Sequence, residues 1–262
     1  MSRNNPNENE LMTFWEHIEV FRKIIFKCMG IWAICAIAAF FFKEQIFDVI
    51  FAPSLDSFVL YRGMCRLSAL LQMPSFCPEG FHVDFINTEL ASQFMTHLKI
   101  AMWLGVIVAL PFLIFQLYTF VSPALYDEEK KYSFGLVTSS FVLFFMGVAL
   151  NYFVIFPFSF RFLATYQVYG TVVNQIALSS YISTFLMLSL LMGIVFEIPI
   201  LAFFFSKLGL INRAMMRNYR RHAFVVICIL AAIITPTADI FTLLLVAVPI
   251  MLLYEASVLI VK

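Results

Sequence analysis

A chain of 262 residues with 62% hydrophobic side chains, 32 Phe and only 13% charged residues carries more apolar surface than one soluble core can hide. The composition therefore points to a bilayer. A formal net charge of +1 gives no reason to invoke nucleic acid, whose binders carry a clustered basic face.

The opening segment, Met1 to Glu10, is polar and mixed in charge, so no cleavable signal sequence is expected ahead of the first apolar run. Crossing about 30 Å of hydrocarbon at about 1.5 Å per residue takes roughly 20 apolar residues. Six runs approach that length, at 24–42, 94–121, 134–156, 181–208, 223–235 and 240–261. They predict an all-α integral membrane protein, a single six-helix membrane domain over residues 1–262, with both termini on one side. Arg3, Arg22, Lys23, Lys27, Lys130, Lys131, Lys207, Arg213, Arg217, Arg220, Arg221 and Lys262 fall on that side, against Lys43, Arg62, Arg66 and Arg161 on the other. The imbalance predicts cytoplasmic N- and C-termini.

The first exported loop, 43–93, contains Pro53, Pro74 and Pro78 and apolar patches such as Ile46 to Ile50, and is expected to fold as a periplasmic cap. Cys65 and Cys77 both lie in it; in an oxidising compartment they form a bridge, the alternative being two free thiols. Cys28, Cys35 and Cys228 fall in helices, where thiols behave as small apolar groups. With no C-x-x-C pair and no Cys/His cluster, neither a metal site nor a cofactor is expected.

Between the second and third runs lies the polar elbow Phe120-Val121-Ser122-Pro123-Ala124-Leu125-Tyr126-Asp127-Glu128-Glu129-Lys130-Lys131. Cytosolic loops usually collect Lys and Arg, so three adjacent acids beside Phe120 and Tyr126 suit a basic ligand. The plainer reading is a solvated loop balanced by Lys130 and Lys131.

Glu197 falls deep in the fourth run, where a charge costs roughly 2.5 to 3.5 kcal/mol. It must face protein or water, either tying helices together or serving substrate passage or partner contact. Pro199 predicts a kink just after it. The fifth run, 223–235, covers roughly 20 Å at helical rise. Pro249 interrupts the sixth and Glu255 enters before its end, so two short C-terminal spans, joined by Pro236-Thr237-Ala238-Asp239, are expected in a thinned bilayer.

Taken together, His17-Ile18-Glu19-Val20-Phe21-Arg22-Lys23, the elbow with Glu129, Phe196-Glu197-Ile198-Pro199, and Thr235-Pro236 with Asp239 resemble the TatC family, the polytopic subunit of the twin-arginine protein translocase. The resemblance covers nearly the whole chain. It implies a multi-pass protein of the bacterial inner membrane that recognises signal peptides with paired arginines on folded precursors. It also implies TatA-like and TatB-like single-span partners, homo- and hetero-oligomers in the lipid bilayer, and export powered by the proton-motive force.

Paired guanidinium groups ask for two separately held acids, since each fits a carboxylate in a two-pronged bond. By resemblance, Glu129 is the first, with Phe120 and Tyr126 as aromatic neighbours. The family's second acid corresponds here to Val20, whereas this chain offers Glu19 one position earlier, turned by about 100° on a helix. Glu16 is a spare candidate; His17 and Arg22 match the family and also suit interfacial anchoring. Asp239 matches an exported acid important for the translocase, with one extra residue after Pro236, and equally suits a helix cap. Leu243 stands where relatives carry a polar side chain that docks partner helices, leaving Thr235 and Thr242 for that role.

The rival from another class is a proton-coupled secondary transporter using Glu197. No internal repeat and no paired broken helices support it. An intramembrane hydrolase lacks a nucleophile, base and orienting group in the runs, so no enzyme chemistry is expected.

Overall fold

The computed structural model describes residues 14–71, 83–121, 133–169, 174–235 and 239–261. Helix α1, Phe14–Phe41, starts ten residues ahead of the first apolar run, because Phe14 to Lys23 contains no Gly or Pro to stop it. Helices α2, Lys43–Phe51, and α3, Val59–Leu71, flank a single 3-10 turn, Ala52–Ser54, in whose first turn Pro53 sits. Helix α4, Ser92–Val121, is continuous through Pro111.

The third run is longer than its expected end at Phe156. Helix α5, Ser133–Leu150, passes through a π-helical turn, Asn151–Ile155, into α6, Phe156–Thr165. Pro157 gives the reason: its ring crowds the carbonyl four residues back, which lies in the π turn, where wider winding relieves the clash.

Helices α7, Leu178–Val195, and α8, Ile198–Lys207, divide the fourth run at Phe196 and Glu197. Pro199 has no N–H for the Val195 carbonyl, and the Glu197 N–H donates three residues back to Ile194 at 3.0 Å. The kink stands where the sequence predicts it. A short helix α9, Arg213–Asn218, follows, capped by the Asn212 side chain, which accepts from the Met215 N–H at 2.7 Å.

The last two helices correct the expectation of a matched short pair. Helix α10, Arg220–Ile234, has 15 residues, about 22 Å, whereas α11, Ile240–Ile260, has 21, about 31 Å. Pro249 lies inside α11 without ending it, since one missing N–H leaves the remaining ladder intact. Among the described residues five helical segments, Ile18–Phe41, Ser92–Gln116, Gly135–Thr165, Leu178–Lys207 and Ile240–Ile260, are long and apolar enough to cross a membrane. Helix α10, the fifth of the six predicted spans, is too short to join them.

Packing centres on α7. Two glycines let α5 approach it closely: a Cβ on Gly193 would meet the Phe144 ring at 2.5 Å, and one on Gly147 would meet the Met192 carbonyl at 2.5 Å. Helix α4 also lies against α7, and α11 against α8 and α10. Helix α1 lies along α4. The Trp32 indole donates to the Met102 carbonyl at 3.1 Å, and the His97 Nε2 lies 3.1 Å from the Phe40 carbonyl, so the two helices run antiparallel.

The cap contains a feature that the sequence does not announce. Strand β1, Phe85–Ile86, pairs in parallel with β2, Ile176–Ala177, with Phe85 opposite Ile176. Phe51, Phe85, Phe156 and Phe160 surround Tyr181 at centroid distances of 4.8 to 5.4 Å, and the Tyr181 hydroxyl donates to the Ile50 carbonyl at 2.8 Å. Tyr61 ties α3 to the bundle by donating to the Pro157 carbonyl at 3.0 Å, with the Arg161 guanidinium 5.2 Å from its ring centre. Burial pushes its phenol up to about 12, against the lowering effect of Arg161. Cys65 is disulfide-bonded, Cys77 lies outside the described residues, and Cys28, Cys35 and Cys228 are free.

Candidate functional site

The antiparallel pairing of α1 and α4 brings the N-terminal end of α1 and the C-terminal end of α4 to one end of the bundle. Of the elbow residues, Tyr126 and Glu129 lie outside the described residues, as do the side chains of Phe120 on α4 and of Glu16 and His17 on α1. Glu19 and Arg22 are exposed, while Val20, one position on, is half-buried. The Glu19 carboxylate lies 2.8 Å from the Lys23 ammonium, one helical turn along. An exposed pair of this kind holds only weakly, so a guanidinium can displace the lysine. Beside it an apolar groove of about 340 Å³ opens between α1 and α4, lined by Phe21, Ile24, Cys28, Ala109 and Leu113 among others.

Glu197 occupies a second groove, of about 380 Å³, formed by α4, α5, α7 and α8. Its walls are apolar, with Leu110, Leu113, Val137, Ile194 and Leu201, and only Ser140 and Glu197 contribute polar side chains. The side chain is 7% exposed; Ser140 donates to Oε2 at 2.7 Å, and Oε1 has no hydrogen-bond partner. A hydroxyl delivered 57 residues away by α5 thus satisfies one oxygen of the carboxyl and leaves the other without a donor.

Farther along the same helices Asn151, fully buried in the π turn, donates to Ser189 Oγ at 2.9 Å, and its Oδ1 has no partner. Ser189 lines a hollow of about 510 Å³ with Leu104, Ile107, Phe145 and Tyr152.

At the α10–α11 turn, Asp239 Oδ1 accepts from the Thr242 N–H at 2.7 Å and so caps α11. The Thr235 hydroxyl donates back to Ala231 at 3.0 Å, which closes the end of α10. Thr242 is 1% exposed, and its hydroxyl, without a hydrogen-bond partner, lines a cavity of about 440 Å³ together with Ser159, Asn174 and Thr184. Glu197 is not among the residues lining this cavity.

Sequence reasoning misses Ser140, Asn151 and Ser189. Single hydroxyls and an amide inside long apolar runs carry no spacing that marks them, and only the partner they meet gives them meaning. Among the described residues no three His, Cys, Asp or Glu converge to hold a metal ion.

A helical bundle with several segments long and apolar enough to cross a membrane, and lone polar groups set into apolar grooves between them, is the architecture of a multi-pass membrane protein. The chain belongs to the TatC family, described as Sec-independent protein translocase protein (TatC), whose profile matches residues 16–249. It is 35% identical over 255 residues to the Sec-independent protein translocase protein TatC of Blattabacterium sp. subsp. Periplaneta americana, covering 96% of each chain. Its identity to the TatC of Deinococcus radiodurans is 31% over 253 residues, covering 97% of this chain and 87% of that one. Two crystal structures of the twin arginine translocase receptor TatC superpose on it. One has a TM-score of 0.73 at 28% identity, covering 94% of this chain and 97% of the other. The second, in the detergent DDM, has a TM-score of 0.76 at 27% identity, covering 94% and 100%.

Proposed function

We propose that this chain is the signal-peptide receptor and core subunit of a twin-arginine translocase in the bacterial inner membrane, with six crossing helices and both termini in the cytoplasm. In this reading α10 is the short crossing helix, and the bilayer thins to meet it. The observation that carries the proposal is the shared end of α1 and α4, which sets Glu19 at the end of the bundle from which the acidic elbow departs.

Glu129 takes one guanidinium of an arginine pair and Glu19 the other, with Phe120 and Tyr126 packing on the ligand and His17 and Arg22 completing the surface. The apolar groove between α1 and α4 suits the hydrophobic stretch that follows the arginines in a signal peptide. TatA-like and TatB-like spans meet the Glu197 groove, where a polar side chain on an incoming helix satisfies the unpartnered Oε1. Thr235, Asp239 and Thr242 form the corresponding contact at the exported side, and Cys65 and Cys77 bridge the cap. Homo- and hetero-oligomers gather around a bound precursor, whose export the proton-motive force drives. Glu197 meets a serine hydroxyl rather than a histidine or lysine that could relay a proton, which supports partner contact over solute transport.

The test is site-specific crosslinking to a twin-arginine precursor. Glu129→Gln is expected to abolish it while the protein remains inserted, and crosslinking at the normal level would discredit the assignment. Glu19→Gln and Glu16→Gln, made separately, identify the second acid by which one weakens the crosslink.

A further inference from the structure

From Lys207 to His222 the chain carries Lys207, Arg213, Arg217, Arg220 and Arg221, and not one Asp or Glu. This segment does not float free. Met216 is 8% exposed, packs with Ala202, Val258 and Val261, and lends its carbonyl to the Tyr254 hydroxyl at 2.7 Å. Helix α9 is thereby pinned across the ends of α8 and α11.

One arginine of the group is already engaged, since Arg220 pairs with Glu255 of α11 at 2.5 Å. Arg213, Arg217 and Arg221 are exposed and have no carboxylate partner among the described residues. In the same segment Leu210, just before Arg213, is 65% exposed, and Tyr219, between Arg217 and Arg221, is 57% exposed. Apolar side chains standing among guanidinium groups suit the boundary between acyl chains and headgroups, where tyrosine and arginine both place a polar tip in water and an apolar body in lipid.

The neighbouring helix sharpens the point. Helix α10 begins at Arg220 and is about 22 Å long, so its basic end is drawn toward the phosphate layer. A guanidinium grips phosphate oxygens through two parallel hydrogen bonds, and three such groups close in sequence, Arg213 and Arg217 on α9 and Arg221 at the start of α10, favour negative headgroups over zwitterionic ones.

We propose that Arg213, Arg217 and Arg221, flanked by Leu210 and Tyr219, form a binding face for the headgroups of anionic phospholipids in the adjoining leaflet, holding the short α10 in a locally thin bilayer. The occupant is lipid rather than an acidic protein because exposed apolar side chains stand in the same segment as the charges, beside a helix too short for an average bilayer. The proposal is independent of signal-peptide recognition.

The experiment uses the full chain in mixed micelles doped with phosphatidylglycerol or phosphatidylcholine of matched acyl length, with retained lipid counted by native mass spectrometry. The wild type is expected to retain phosphatidylglycerol preferentially. Each of R213Q, R217Q and R221Q should lower that retention about fivefold, and the triple variant more steeply. R62Q, on the cap helix α3, should leave it unchanged. The single variants keep the test open should the triple variant fail to fold. Equal retention of both lipids by the wild type, full retention by the three single variants, or preference for soluble polyglutamate over phosphatidylglycerol would each overturn the proposal.

Discussion

Helices α1 and α7–α8 have nearly the same mean hydropathy, 2.2 and 2.3, yet 6% of the apolar window of the first is buried inside the protein against 61% of the second. Hydropathy reports that both are apolar enough to cross lipid and says nothing about which stands at the centre. What separates them is the residues that admit a neighbour. Helix α7 has Gly193 against Phe144, Ser189 against Asn151, and leads into Glu197 against Ser140. Helix α1 touches the rest mainly along one side, at α4, and turns Phe26, Ile34 and Ile37 outward. In a bilayer no hydrophobic force draws helices together, so close packing and polar contacts choose the hub.

The contrast breaks most visibly at Gly193. Gly193→Leu places atoms where the Phe144 ring already lies 2.5 Å from the nearest added carbon, and should cost about 3 kcal/mol. Thermal unfolding in detergent would show a large fall in midpoint; an unchanged midpoint would remove α7 from its central role. Gly105→Leu attacks the edge instead, since a Cβ there meets the Ala36 Cβ at 2.9 Å. About 2 kcal/mol should be lost between α1 and α4 alone. Hydrogen exchange should then rise in α1 while α7 stays protected, and a uniform rise would show that the edge is as integral as the centre.

Ser140→Ala removes the hydroxyl that serves Glu197 and is expected to cost about 1 kcal/mol in the same unfolding measurement. A loss near zero would mean that the carboxyl finds another donor. The smallest effect belongs to Ile34→Ala on the outer face of α1, at 69% exposure, where stability should change by less than about 0.5 kcal/mol. A drop comparable to that of Gly193→Leu would point to a protein neighbour covering that face.

Much of the site was legible residue by residue. The burial of Glu197 and the kink at Pro199 follow from the position of each in an apolar run, and the structure bears out both. Glu129 and Tyr126 lie outside the described residues, so their roles rest on the family resemblance. Pro249 misled, because a proline breaks a helix only where no neighbouring ladder carries it, and α11 continues through it at full length. The strand pair of Phe85–Ile86 with Ile176–Ala177 was invisible, since two residues on each side offer no alternation to detect. It exists because the Phe85 ring packs on Phe51 and Tyr181, an event of the folded cap.

By itself the sequence determined that this chain lives in a bilayer, where its apolar runs lie, that one acid sits deep among them, and, through ordered short motifs, which family it belongs to. Only the tertiary structure decided which helix is the hub, that Ser140 answers Glu197, and that of the last two helices only α10 is short. The physical reason is that composition and periodicity act within one helix. Close packing and hydrogen bonding depend on which distant residue a neighbouring helix delivers.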